Sequence, residues 1–211
     1  MAGAEACWPA EAVRPQAYYS ETVGALSSDA GFLAWGILGT LALGEETPAG
    51  SVAYLTGLAL PEGGWEWSPG WGRDTNTTAL AIQTLLAAGT PVSATEIISG
   101  LAYLQAAQDA SGGIRYGADA GWEGAADANS TAYALQALAA AGQSPYDPAW
   151  QVDGVGMVDF LLALQQANGG LAWQPGQEAN LSATVQAVPA LLEQPFPLRR
   201  AALETCAGGA Q

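Results

Sequence analysis

Three glycine pairs punctuate this chain, and the stretches around them repeat. Gly63-Gly64, Gly112-Gly113 and Gly169-Gly170 each open an aromatic-bearing stretch: GGWEWSPGW, GGIRYGADAGW and GGLAWQPG. Beyond each lies an acid-x-Asn triplet that leads an apolar run: DTNTTALAIQTLLAAG, DANSTAYALQALAAAG and EANLSATVQAVPALL. Asp74, Asp127 and Glu178 thereby recur 53 and 51 residues apart, and SSDAGFLAWGILGTLALG is a weaker fourth copy with Asp29 in the acidic position. A period of this size is one helical hairpin plus a loop. Such a unit cannot bury its apolar side alone, so its neighbours must stack on it.

The runs near 78–88, 131–141 and 182–193 are rich in Ala, Leu and Gln. Asp, Asn, Ser or Thr precede them and Gly or Pro follow, which are helix start and stop signals. The partner segments SVAYLTGLAL, TEIISGLAYLQAAQ and GVGMVDFLLALQQA carry apolar residues three and four apart and end at the glycine pairs. No stretch sustains a period of two, so almost no sheet is expected. The runs after the triplets are apolar nearly all round, as suits inner helices, whereas their partners are amphipathic, as suits an outer layer. The longest apolar stretch, Phe32 to Gly44, is too short to span a bilayer.

Composition removes much chemistry. The 211 residues carry twenty acids, five arginines, no lysine and no histidine, for a net charge of −15. Nucleic acids and anionic membrane surfaces require clustered cations, so neither is an expected partner. Without histidine there is no Ser-His-Asp or Cys-His catalysis and no His-ligated zinc or iron. Without lysine there is no Schiff base and no P-loop lysine. Any catalysis must use carboxylates or a metal on oxygen ligands.

The alternating helices joined by Gln-x-x-x-Gly-Gly turns resemble the repeats of the terpenoid cyclase and prenyltransferase α/α-toroids. Gln108 in QDASGG and Gln165 in QQANGG keep the glutamine, and Ala59 stands in its place in the first turn. The aromatic that follows the turn in that family is present as Trp65, with Ile114 and Leu171 in the other two copies. A shorter stretch, TVQAVPALLEQPFPL, resembles the last toroid helix of the cobalamin carriers related to intrinsic factor. The resemblance implies an all-α fold, a partial or open α/α-toroid of about four antiparallel hairpins. The whole of 1–211 is then one domain: a cap at 1–27 bearing Trp8, Tyr18 and Tyr19, repeats at 28–195, and a tail at 196–211. A second chain or domain is the expected means of completing the ring.

The same resemblance sharpens what is missing. Terpenoid cyclases protonate substrate with Asp-x-Asp-Asp-Thr-Ala, and the matching stretches here are DTNTTA and DANSTA, with Asn76 and Asn129 in place of the second acid. An amide supports a strong proton donor less well than a second carboxyl group does. Protein prenyltransferases hold zinc with Asp, Cys and His, and the histidine is absent. The chain therefore leans away from enzymes, and a carboxylate-based cyclase or glycoside-active enzyme is the second reading. An acidic interaction or scaffold protein is the third.

The first reading is a non-catalytic module that binds at its loop rim. Inner helices that start on one side bring their preceding loops together. The rim then gathers Trp65, Trp67, Trp71, Tyr116, Trp122 and Trp173 with Asp74, Asn76, Asp127, Asn129, Glu178 and Asn180. The ligand expected there is a small hydrophobic, glycan or corrinoid-like molecule, or a partner protein. No cofactor is expected, Ca²⁺ being the one ion an acidic rim would suit. The competing role for the acids and amides is capping of helix N-termini, and for the tryptophans, filling the space between hairpins.

Cys7 and Cys206 stand near opposite ends of the sequence. They are read either as two free thiols or as a disulfide joining the termini. The N-terminal stretch MAGAEACWPAEA shows no signal peptide, and a bonded pair would favour an extracytoplasmic, secreted setting. Thiol titration of denatured, unreduced protein taken from an oxidising compartment should find no free thiol. Two free thiols would exclude the disulfide.

Overall fold

The computed structural model of the protein describes residues 15–119 and 124–198. Cys7, Cys206, Trp8 and Trp122 lie outside the described residues. Among the described residues seven α-helices follow one another: α1 (Ala30–Leu43), α2 (Ser51–Gly57), α3 (Thr75–Ala87), α4 (Thr95–Ala106), α5 (Ala128–Ala140), α6 (Met157–Ala163) and α7 (Leu181–Leu191). The expected scarcity of sheet holds among the described residues. Two antiparallel ribbons of two-residue strands occur, β1 (Trp65–Glu66) with β2 (Arg73–Asp74) and β3 (Gln151–Val152) with β4 (Val155–Gly156).

Helices α1, α3, α5 and α7 pack each on the next, and α2, α4 and α6 form a second layer against them. The described residues thus hold three helical hairpins and the leading helix of a fourth. The inner layer is Ala-rich because its members are covered on several sides. In α3, residues Ala79, Ala81, Ile82 and Leu85 are fully buried, and in α5 so are Ala132, Ala134, Leu135, Ala137 and Leu138. Small side chains let such helices approach closely at little cost in helix propensity.

The glycine pairs build the same turn three times. In each turn one amide donates to the second glycine's carbonyl, Leu60 to Gly64, Asp109 to Gly113 and Gln166 to Gly170, at 2.8–3.0 Å. The first glycine of each pair has positive φ (86°, 81° and 85°), where an L side chain is strained. At Gly63 and Gly112 space adds a second demand. A Cβ at Gly63 would stand 2.5 Å from Ser99 O, and one at Gly112 would stand 2.7 Å from Gly156 O. Backbone of the following repeat therefore lies directly over the turn.

A threonine hydroxyl then locks each turn to its inner helix. Thr78, Thr131 and Thr184 accept the amide N–H of Trp65, Ile114 and Leu171 at 2.8–2.9 Å. Thr131 and Thr184 also donate to the carbonyls of Asp127 and Asn180. These residues are 53 apart, so the structural period is constant through all three copies.

The two ends of the helix stack are treated differently. At the first, the 3-10 turn Pro15–Tyr18 packs on α1, Ala25 and Leu26 are buried, and a Cβ at Gly36 would lie 2.9 Å from Leu26. At the second, the chain leaving α7 turns back across the inner helices. Gln136 Nε2 donates to Gln194 O at 2.8 Å, Phe196 N donates to Gln83 Oε1 at 3.0 Å, and the Phe196 ring meets Trp35 and Tyr133 edgewise or tilted. Gln83 and Gln136 are fully buried, and these bonds give Gln83 Oε1 and Gln136 Nε2 their partners.

Thr131→Val keeps the volume and removes the hydroxyl that joins Ile114 N to Asp127 O. It should cost about 1–3 kcal/mol in urea unfolding, because a buried amide loses its acceptor. An unchanged unfolding midpoint would show that the turn is held by other contacts.

Candidate functional site

The inner helices begin at one end of the stack, and their caps define a rim. Asp74 accepts from Thr77 N and Oγ1, both at 2.8 Å. Asp127 repeats this with Ser130 N and Oγ, and its Oδ1 also accepts Trp173 Nε1 at 3.1 Å. In the third copy the cap is Asn180, whose Oδ1 accepts from Ala183 N at 3.0 Å. The third partner of Asp74 and Asp127 is thus Asn180 and not Glu178, which is exposed and stands two residues early. Matching by charge misplaced the register because an amide oxygen caps a helix as well as a carboxylate does.

Just inside the rim is a cavity of about 630 Å³. Its walls come from three inner helices and their lead-in loops: Asn76 from α3, Asn129 and Tyr133 from α5, Ser182 and Gln186 from α7, with Tyr116, Trp173 and Asp127 at the mouth. Asn76, Asn129 and Ser182 share one repeat position, as do Tyr133 and Gln186 one helical turn further on. Asn76 Oδ1 is buried without a hydrogen-bond partner, and Gln186 Nε2 donates to Gln136 Oε1 at 3.0 Å beneath the floor.

Of the aromatics read from sequence, Tyr116 and Trp173 line this cup. Trp65 is fully buried, with Nε1 donating to Leu55 O at 2.8 Å, so it is core rather than rim. Trp67 packs edgewise on Phe32 of α1, where Gly31 leaves room for its ring. Trp71 is 73% exposed and stands outside the cup. The segregation follows repeat position. Trp65, Ile114 and Leu171 are buried in the core, whereas Trp67, Tyr116 and Trp173, two residues on, are partly exposed as the chain leaves it. Ser182 was missed because the two-residue register error put Asn180 in the place of Asn76 and Asn129, and Tyr133 and Gln186 because they lie one helical turn beyond the triplets, although 53-residue spacing links them.

Electrostatics at the rim follow from burial. Desolvation pushes the Asp74 carboxyl above the usual aspartate range, against the bonds from Thr77 that favour its charge. Burial, aided by the charges of Asp74 and Asp127, raises the Tyr116 hydroxyl. Burial alone raises that of Tyr133. Arg73 is held outside the cup by a two-pronged pair with Asp119, Nε to Oδ2 at 2.7 Å and Nη2 to Oδ1 at 2.5 Å. Its Nη1 reaches Glu62 O and Gly63 O, and its guanidinium lies 4.4 Å over the Tyr103 ring. Burial pushes the Tyr103 hydroxyl up to about 12, and Arg73 holds Asp119 below the ordinary range. Arg115 donates to the carbonyls of Ala106 and Ala107. Among the described residues no three Asp, Glu, Cys or His side chains gather as a metal-ligand group, and no helix is long and apolar enough to cross a membrane.

An inner layer of stacked helices, an outer layer joined through Gly-Gly turns, and a cup at the inner-helix N-termini define an α/α-toroid. Residues 23–198 match the prenyltransferase alpha-alpha toroid domain, and the chain belongs to that family. A solved structure with this fold is Candida albicans protein geranylgeranyltransferase-I complexed with GGPP, at TM-score 0.58 and 15% identity. The match covers 78% of this chain and 49% of that one, so the present chain spans about half the length of its structural neighbour. A search of curated proteins finds no match.

Asp74 has a measurable signature. The native state holds the Asp74 proton more tightly than the unfolded chain does, so that stability is present at low pH and lost as pH rises through the raised value. Asp74→Asn keeps an acceptor for Thr77 N and removes the titration. The stability of Asp74→Asn minus that of the parent should increase as urea midpoints are followed from acid to neutral pH. A pH-independent difference would show that Asp74 ionises as freely when folded as when unfolded.

Proposed function

We propose that this chain is a non-catalytic binding module whose cup takes a neutral, hydroxyl-rich ligand of glycan type. The observation that carries this reading is the lining itself: amides and a hydroxyl of Asn76, Asn129, Ser182 and Gln186 alternate with the rings of Tyr116, Tyr133 and Trp173. Rings of this kind cover the apolar face of a sugar while amides exchange hydrogen bonds with its hydroxyls, and the cavity volume lies in the usual ligand range.

The lining offers no cation. A prenyl diphosphate, the kind of ligand GGPP represents, would meet Asp127 and no counter-charge, so the ligand named for the structural neighbour suits this cup poorly. Both oxygens of each rim aspartate are engaged as caps. An acid so engaged is not poised to protonate an alkene or a glycosidic oxygen, which supports binding over turnover.

Titration calorimetry against neutral oligosaccharides tests the assignment. Binding should weaken by about tenfold or more in Asn129→Ala and Trp173→Ala, with melting temperatures within about 4 °C of the parent. Absence of binding to every neutral oligosaccharide would overturn the ligand class. Product formation from squalene or geranylgeranyl diphosphate, lost in Asp127→Asn, would overturn the non-catalytic role.

A further inference from the structure

We propose that the outward side of α7 is an open repeat-to-repeat joint that receives one further toroid-type repeat from a partner protein. Leu181, Val185 and Val188 are 80%, 63% and 48% exposed and form one stripe along α7. At the same repeat positions stand Ala128, Ala132 and Leu135 in α5, and Thr75, Ala79 and Ile82 in α3, all at 0% exposure. In α3 and α5 these positions lie beneath the next repeat. In α7 nothing described lies over them.

Three further features of the last repeat are open in the same register. Thr75 N donates to Tyr116 O and Ala128 N to Trp173 O, each at the first helical residue and each to the following repeat's loop. Leu181 N has no such carbonyl among the described residues. Gly63 and Gly112 lie under backbone of the following repeat, whereas a Cβ on Gly169 would meet nothing within 4 Å. Gln108 Nε2 bonds both Gly112 O and Trp150 O of the next repeat, and among the described residues Gln165 Nε2 bonds only Gly169 O. Side chains, backbone donor, turn glycine and turn glutamine are thus all set for a neighbour.

The existing joints specify what that neighbour carries. It must lead with a loop whose backbone carbonyl reaches Leu181 N, followed by a helix with a stripe of small side chains. That is what α7 gives α5 through the buried Ala183, Ala187 and Ala190. A second copy of this chain supplies it poorly. The corresponding side of its α1 is covered at Gly36 by Leu26. Pairing α7 with itself in antiparallel fashion would bring exposed Glu178 beside exposed Glu193.

The probe is a labelled synthetic peptide of residues 171–194, the loop and helix that α5 already receives, titrated against the full chain by fluorescence anisotropy. A full-length variant Val188→p-benzoylphenylalanine locates the contact by photo-crosslinking. The peptide should bind and crosslink at position 188. Val185→Asp should weaken it about tenfold or more, whereas Val92→Asp, exposed elsewhere, should not. Both substituted sites are on the surface, so circular dichroism should be unchanged. Absence of binding, or binding indifferent to Val185→Asp, overturns the proposal. Sedimentation showing a dimer of the full chain that Val185→Asp dissociates would assign the face to a second copy and overturn it equally.

Discussion

The threonine hydroxyl in the first turn of α3, α5 and α7 sets the geometry of the stack. It accepts the amide just after the Gly-Gly turn, and in two copies it also donates to the cap carbonyl. One side chain therefore fixes where the loop ends relative to where the helix begins. Because that relation is the same three times, the helix N-termini fall on one rim and the lead-in loops converge there. The cup is a consequence of the lock.

That geometry also decides the chemistry of the acids. A carboxylate at a helix start is drawn to the free amides of the first turn, and here Thr77 and Ser130 add hydroxyl donors on the second oxygen. The rim aspartates are structural in their bonding even though Asp127 is at the mouth of the cup. Apart from Asp127, what faces the cavity is neutral: amides, a hydroxyl and aromatic rings. A family fold can host many sites, and the binding proposed for this one rests on its lining rather than on ancestry.

The residues that follow α7 add a constraint of another kind. Instead of forming an outer helix, as the chain after α5 does, residues 192–198 return across the inner face and are held by Gln83, Gln136 and Trp35. The interior of the arc is thereby floored by the chain itself. The outward side of α7 is left with the side chains of a joint.

Much of this was legible in the residues. Glycine pairs, helix caps and apolar runs are local signals whose physics acts within a few residues, so the sequence alone determined the hairpin unit, its period and the inner-outer alternation. It also singled out Tyr116, Trp173, Asn76, Asn129 and Asp127, which the fold brings around one cavity. It did not determine that Trp65 is core, that Asn180 rather than Glu178 is the third cap, or that Tyr133 and Gln186 complete the wall. Those outcomes depend on which side of an extended segment or helix meets another repeat some fifty residues away. Only the tertiary stacking decides that, because burial is a property of neighbours and not of spacing.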